Sequence, residues 1–174
     1  MANPFTVFAA ELLRRPGTQK QIALSAPLAD LDVHDPSRFA PDAEADVQLL
    51  LESLTDGIVV DGTVGVAWHG TCRRCLADTG GVSVSEVHDL YQRVLTDPDA
   101  FELDGDQLDL RPVVRELVLL DTPSTPLCRP DCAGLCPTCG ANLNDGPCGC
   151  DAPPADPRWS ALDVLRGDDS PERG

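Results

Sequence analysis

Positive charge is scarce in this chain. Against 29 Asp and Glu stand 13 Lys and Arg, a formal net charge of −16 over 174 residues. Unassisted nucleic-acid binding rests mainly on Lys and Arg neutralising phosphates, and a chain this acidic lacks that footprint. Its charge suits a basic protein partner or assisted docking beside RNA; it also serves solubility. Aromatic residues make up only 4%, so the core must be built from Leu, Val, Ile and Ala. No apolar run approaches the roughly eighteen residues of a membrane-spanning helix. Residues 1–17 have no basic opening stretch, and their apolar run, Phe5 to Ala10, is short and followed by Glu11. That is not the pattern of a secretory signal, and a cytoplasmic location is expected. His34, His69 and His88 show no metal spacing. No Gly-rich phosphate loop or nucleophile elbow occurs, so the chain reads as a non-enzyme.

Cysteine is what the chain has in a pattern. Six of its eight cysteines lie between Cys128 and Cys150, and the other two, Cys72 and Cys75, form a C-x-x-C far upstream. Cys136-Pro137-Thr138-Cys139-Gly140 has the form of a zinc knuckle, in which the turn brings two thiolates together and the glycine lets backbone N–H groups approach sulfur. With Cys148 and Cys150 the spacing is C-x2-C-x8-C-x-C, enough for one tetrahedral all-thiolate site. Cys72, Cys75, Cys128 and Cys132 are the candidates for a second. The competing reading is a disulfide framework, since eight is an even number; a reducing cytosol favours metal. Iron–sulfur clusters also take four thiolates. The glycine-closed knuckle favours zinc, and spacing alone leaves iron open. Arg73 and Arg74 are the basic pair beside these cysteines, placed to contact RNA phosphate or a partner, or to offset thiolate charge.

Along the chain, residues 4–15 predict a short amphipathic helix through apolar positions 8, 12 and 13, ended by Pro16-Gly17. Residues 18–28 read as extended and 29–44 as a loop. Val47, Leu49 and Leu51 alternate as in a strand. Asp61-Gly62 between β-branched runs predicts a two-residue hairpin turn, with a return strand over Thr63 to Thr71. A further strand runs from Val82 to about Leu95, which puts the first C-x-x-C at a hairpin tip. Trp68 and Tyr91 are expected in the core. Residues 96–107 form an acidic loop without the oxygen series of a calcium loop. A helix capped by Asp109 follows, tolerating Pro112 in its first turn. Its apolar stripe is Val113, Val114, Leu117, Val118 and Leu120. Beyond Cys150 comes a Pro-rich linker, and Trp159, Leu162 and Leu165 predict a short helix over Arg158 to Arg166. The division expected is an α+β body over 1–127, a cysteine-rich metal-binding segment over 128–150 and a linker with a short helix over 151–174. The body would be a twisted antiparallel sheet, partly closed as a barrel, with the helix packed on it.

Four pieces carry a family resemblance: L-L-R-R-P-G at 12–17; D-G at 61–62 with C-R-R-C-L at 72–76; L-D-L-R-P-V-V-R-E-L at 108–117 with P-L-C at 126–128; and C-A-G-L-C-P-T-C-G-A-N-L-N at 132–144 with D-P-R-W-S-A-L at 156–162. In this order they resemble the YceD family, the large ribosomal RNA subunit accumulation proteins. The resemblance implies a non-enzymatic role in 23S rRNA accumulation and large-subunit assembly. It implies as partner large-subunit ribosomal protein thirty-two, or pre-23S rRNA within a large-subunit precursor. The alternative is a zinc-stabilised acidic adaptor for another basic protein.

Overall fold

Alternation of apolar and polar residues sets most of the architecture. The computed structural model describes residues 3–151 together with Arg158, Ser160 and Leu162. In chain order the elements are β1 (Thr6–Phe8), β2 (Gln19–Pro27), β3 (Glu44–Ser53), β4 (Gly57–Thr71), β5 (Asp78–Gln92), β6 (Phe101–Glu102), β7 (Gln107–Asp109) and α1 (Arg111–Asp121). Short 3-10 turns occupy Leu12–Arg14 and Leu28–Leu31. The main sheet has the order β2-β3-β4-β5-β6, and β1 pairs with β7 in a second, two-stranded sheet. Neighbours from β2 to β5 are antiparallel, and β6 runs parallel to the end of β5.

The class is therefore α+β as expected, with two corrections. The sheet is mixed, and it is open rather than partly closed, because its order ends at β2 and β6 with no pairing between them. One face carries the core, with Val47, Leu51, Val60 and Val64 buried against Phe5, Leu108 and Leu110. α1 packs on this face through Val113, Val114 and Val118. Tyr91 is buried, stacks on Phe101 and donates its hydroxyl hydrogen to the Asp109 carbonyl at 2.9 Å. Trp68 is partly buried against the same core.

Three further expectations fail for physical reasons. The opening segment is a strand and a 3-10 turn, not a helix: Phe5, Val7 and Ala9 are buried in alternation and Phe8 faces out, so the period of two wins over positions 8, 12 and 13. Asp61-Gly62 is not a turn. It lies within β4, opposite Leu50 and Leu49 on one side and His88 and Val87 on the other. A strand that continues through it buries Ile58, Val60, Val64 and Val66 together. Gly62 serves close strand approach instead: its φ is +151°, and a Cβ there would meet the Gln48 carbonyl oxygen at 2.1 Å. The true turn is Leu54-Thr55-Asp56, closed by Leu54 N–H on the Gly57 carbonyl at 2.8 Å. Last, Leu120 of the predicted stripe is exposed. Leu117 and Leu119 are partly buried in the core cluster, and Asp109 caps one residue early, accepting from Arg111 N–H at 2.9 Å with Leu110 at the N-cap. The helix expected over Arg158 to Arg166 lies mostly outside the described residues; Arg158, Ser160 and Leu162 are exposed with 3-10 geometry.

Candidate metal centres

β4 and β5 form a hairpin of fifteen residues a side, and its long register carries Cys72 and Cys75 well away from the sheet's centre. The chain leaving α1 returns to that tip. Arg73 N–H donates to the Pro126 carbonyl at 3.0 Å, which delivers Cys128 and Cys132 beside the first pair. Leu127 and Leu135 pack against Cys72, Cys75 and Cys132. The remaining four cysteines gather in the next turn of chain. Thus the structure brings together Cys72, Cys75, Cys128 and Cys132 in one set and Cys136, Cys139, Cys148 and Cys150 in another, the sulfurs of each within 4.8 Å of one another. All eight are free thiols.

Both sets suit a tetrahedral metal. Metal–sulfur bonds of about 2.3 Å give a tetrahedron with edges of about 3.8 Å. The Sγ atoms of Cys72 and Cys132 lie 3.8 Å apart, and those of Cys75 and Cys128 lie 3.6 Å apart. Each set can hold one metal ion. Thiol acidity is divided within each set. The Cys75 backbone N–H holds Cys72 down to about 6, while desolvation and the neighbouring thiols push Cys128 up to about 12. The N–H groups of Cys139 and Thr138 hold Cys136 down to about 6, and Cys139 and Cys148 push Cys150 up to about 12. Four packed sulfurs cannot all carry negative charge unaided, and a central divalent cation supplies the charge that lets them.

The two C-x-x-C turns are built alike. In the first, Cys72 N–H donates to the Ala77 carbonyl at 2.8 Å and Leu76 N–H to the Cys72 carbonyl at 2.9 Å. In the second, Cys136 N–H donates to the Ala141 carbonyl at 2.8 Å and Gly140 N–H to the Cys136 carbonyl at 2.9 Å. Gly140 has φ +74°, and Leu76 adopts the same left-handed region at φ +62°. From sequence, Cys72-x-x-Cys75 is a C-x-x-C at a hairpin tip and a candidate ligand pair, and only the second turn has the glycine-closed knuckle form. The common pattern C-x-x-C-x-Ala, present at 72–77 and 136–141, is the signal that links them.

Asn144 was not singled out by sequence, and it joins the two sets. Its side-chain Nδ2 donates to Cys132 Sγ at 3.4 Å, and its Oδ1 accepts from Ala133 N–H at 2.8 Å and Arg129 Nη2 at 2.7 Å. Leu143 N–H adds a bond to the Gly134 carbonyl at 2.9 Å. The turn between Cys139 and Cys148 thereby braces the first set.

Most described cations are engaged inside the molecule. Arg74 donates to the Cys132 carbonyl at 2.9 Å. Arg38 donates to the carbonyls of Leu119, in the last turn of α1, and of Thr122, just past it, and Arg115 to those of Leu31 and Asp32. Arg93 and Arg111 pair with Asp106 and Asp109. Among the described residues, Arg14, Arg15 and Arg73 make no side-chain bond and are exposed. Of the sequence-proposed pair, Arg74 is thus a brace of the first cysteine set, and Arg73 faces solvent. His88 pairs with Asp61, and His69 bonds the Pro36 carbonyl. No helix among the described residues is long and apolar enough to cross a membrane.

Fold and site together define an α+β protein with one covered sheet face and two four-cysteine cages that tie a hairpin tip to the chain leaving the helix. The chain belongs to the YceD family: the family described as "Large ribosomal RNA subunit accumulation protein YceD" matches residues 60–166. An uncharacterized protein of Mycobacterium tuberculosis is 34% identical over 185 residues, which span 98% of this chain and 85% of the relative. An uncharacterized protein of Mycobacterium leprae is 31% identical, over 75% of this chain and 63% of the relative. A Zea mays protein named large ribosomal RNA subunit accumulation protein YCED homolog 1, chloroplastic, is 35% identical over 38% of this chain and 23% of its own length. No solved structure matches the chain.

Proposed function

We propose that this protein is a non-enzymatic ribosome-biogenesis factor that promotes accumulation of 23S rRNA and assembly of the large subunit. It does so in the cytoplasm by holding a basic ribosomal protein, with large-subunit protein thirty-two as the first candidate. Family membership carries this reading, since the family takes its description from accumulation of large-subunit RNA. The net charge of −16 and the internally engaged arginines favour a basic protein over naked pre-rRNA. Zinc fills both cages in this reading. Four thiolates leave no open coordination position for water or substrate, so both ions are structural. They order a segment with little apolar core of its own.

The test is sedimentation of a tagged copy from native lysate on a sucrose gradient, with the RNA and protein of its fractions identified. Co-migration with large-subunit precursors and not mature ribosomes is expected. Migration only at the top of the gradient, with 23S rRNA levels unchanged in a deletion strain, contradicts the assembly role and leaves the acidic adaptor reading.

A further inference from the structure

Among the described residues, the main sheet is covered on one side only. Register sets what the other side carries. Asp46, Gly65 and Val84 lie in one row across β3, β4 and β5; Gln48, Thr63 and Glu86 lie in the next; Leu50, Asp61 and His88 follow. This face of β2 to β5 bears Glu44, Asp46, Glu52, Asp61 and Glu86 and, among the described residues, neither Lys nor Arg. Ser25 donates to Glu44, Gln19 to Glu52, and His88 pairs with Asp61. Asp46 and Glu86 are exposed and have no side-chain partner among the described residues. An open sheet face gains from cross-strand pairs of opposite charge and loses from like charge. Among the described residues this face has one such pair, Asp61 with His88, and sets no Lys or Arg against Asp46, Glu86 or Glu44.

The same face exposes apolar side chains. Val82 and Val84 on β5 are each 66% exposed, and Ala67, opposite Val82, is exposed as well. β-branched residues left bare among unpaired carboxylates match an interface that combines apolar contact with charge complementarity. Phosphate-bearing RNA meets only repulsion here.

We propose that this outer sheet face docks an arginine- and lysine-rich segment of a partner protein. Its cations sit against Asp46, Glu86 and Glu44, and its apolar side chains sit on Val82 and Val84. The partner's place in large-subunit assembly rests on the function proposed above; the surface itself does not.

The experiment uses the full chain and two double variants of equal charge change. Asp46→Lys with Glu86→Lys alters the face, and Asp99→Lys with Asp104→Lys alters the acidic loop. The probe is a synthetic, fluorescent peptide in which arginine and lysine alternate with valine and leucine, read by anisotropy at about 0.15 M salt. The face variant is expected to weaken binding about tenfold or more and the loop variant about twofold or less. Val84→Ser, which changes no charge, weakens it too, and peptide-induced amide shifts fall on β3 to β5. Equal losses in the two double variants, or amide shifts centred on residues 97–106, mean bulk charge attraction and overturn the proposal. Tighter binding of a single-stranded ribosomal RNA fragment than of the peptide overturns it as well. In a deletion strain the ratio of 23S to 16S rRNA judges the assembly role by itself. If the deletion lowers that ratio and the face variant restores it as well as the loop variant does, the docking face fails while the role stands.

Discussion

Leu76 and Gly140 hold the same place in two turns with the same hydrogen bonds, and both are left-handed, at φ +62° and +74°. For glycine that conformation is free of steric strain; for leucine it costs roughly 1–2 kcal/mol. Leu76 is 64% exposed and has little packing to lose.

Leu76→Gly is therefore expected to stabilise the protein by about 1 kcal/mol, the strain relief being partly offset by glycine's greater unfolded-state freedom. Urea unfolding of the metal-loaded protein measures it. A loss of stability would show that the turn at 72–77 is not the counterpart of that at 136–141.

Asn144 reaches Cys132 from the other cysteine set. Outer hydrogen bonds to metal ligands are typically worth about 10- to 100-fold in affinity. Asn144→Ala should weaken metal at Cys72, Cys75, Cys128 and Cys132 by about that factor, read by chelator competition and by the thiolate absorption of the cobalt-substituted protein. Unchanged affinity would make Asn144 a brace of the loop alone.

His88 contacts Asp61, whose hydrogen bond and charge raise the imidazole above its ordinary value near about 6.5. A raised histidine stabilises the fold below its unfolded pKa, and that contribution is lost as pH rises through the raised native value. The pair is exposed, so the effect is small. An NMR titration should place the His88 midpoint above about 6.5, and Asp61→Asn should return it there.

Removal of metal should act unequally on the two halves. The first cage ties the hairpin tip to the chain after α1, whereas the second holds its own loop and reaches the first only through bonds such as those of Asn144 and Leu143. Occupancy a thousandfold above Kd adds about 4 kcal/mol, so a chelator should lower the melting midpoint by roughly 10 °C. Cys72→Ser should reproduce most of that fall and Cys139→Ser little of it. Equal effects would mean that the cages stabilise the body alike.

The part of the β4–β5 hairpin that leads to Cys72 and Cys75, and the stripe of α1 through Val113, Val114, Leu117 and Val118, were legible because each keeps its period along one buried face. The opening strand was not. Phe8, Leu12 and Leu13 share a helical spacing, and only pairing of β1 with β7 reveals that Phe5, Val7 and Ala9 are the buried set. Asp61-Gly62 misled because its turn signal is local, whereas β3 and β5 pair on both sides of it. At the site, the knuckle at 136–140 announces itself by its glycine. The C-x-x-C at 72–75 was legible as a candidate pair, but its likeness to the knuckle was not, because Leu76 takes the glycine's place; Asn144 carries no spacing rule at all.

The most direct measurement is the number of zinc ions per chain, by native mass spectrometry of protein purified without added metal. Two ions on the full chain, with one lost in Cys72→Ser/Cys128→Ser and the other in Cys136→Ser/Cys139→Ser, is the predicted result. A metal-free mass with eight freely reactive thiols would contradict the two-cage account.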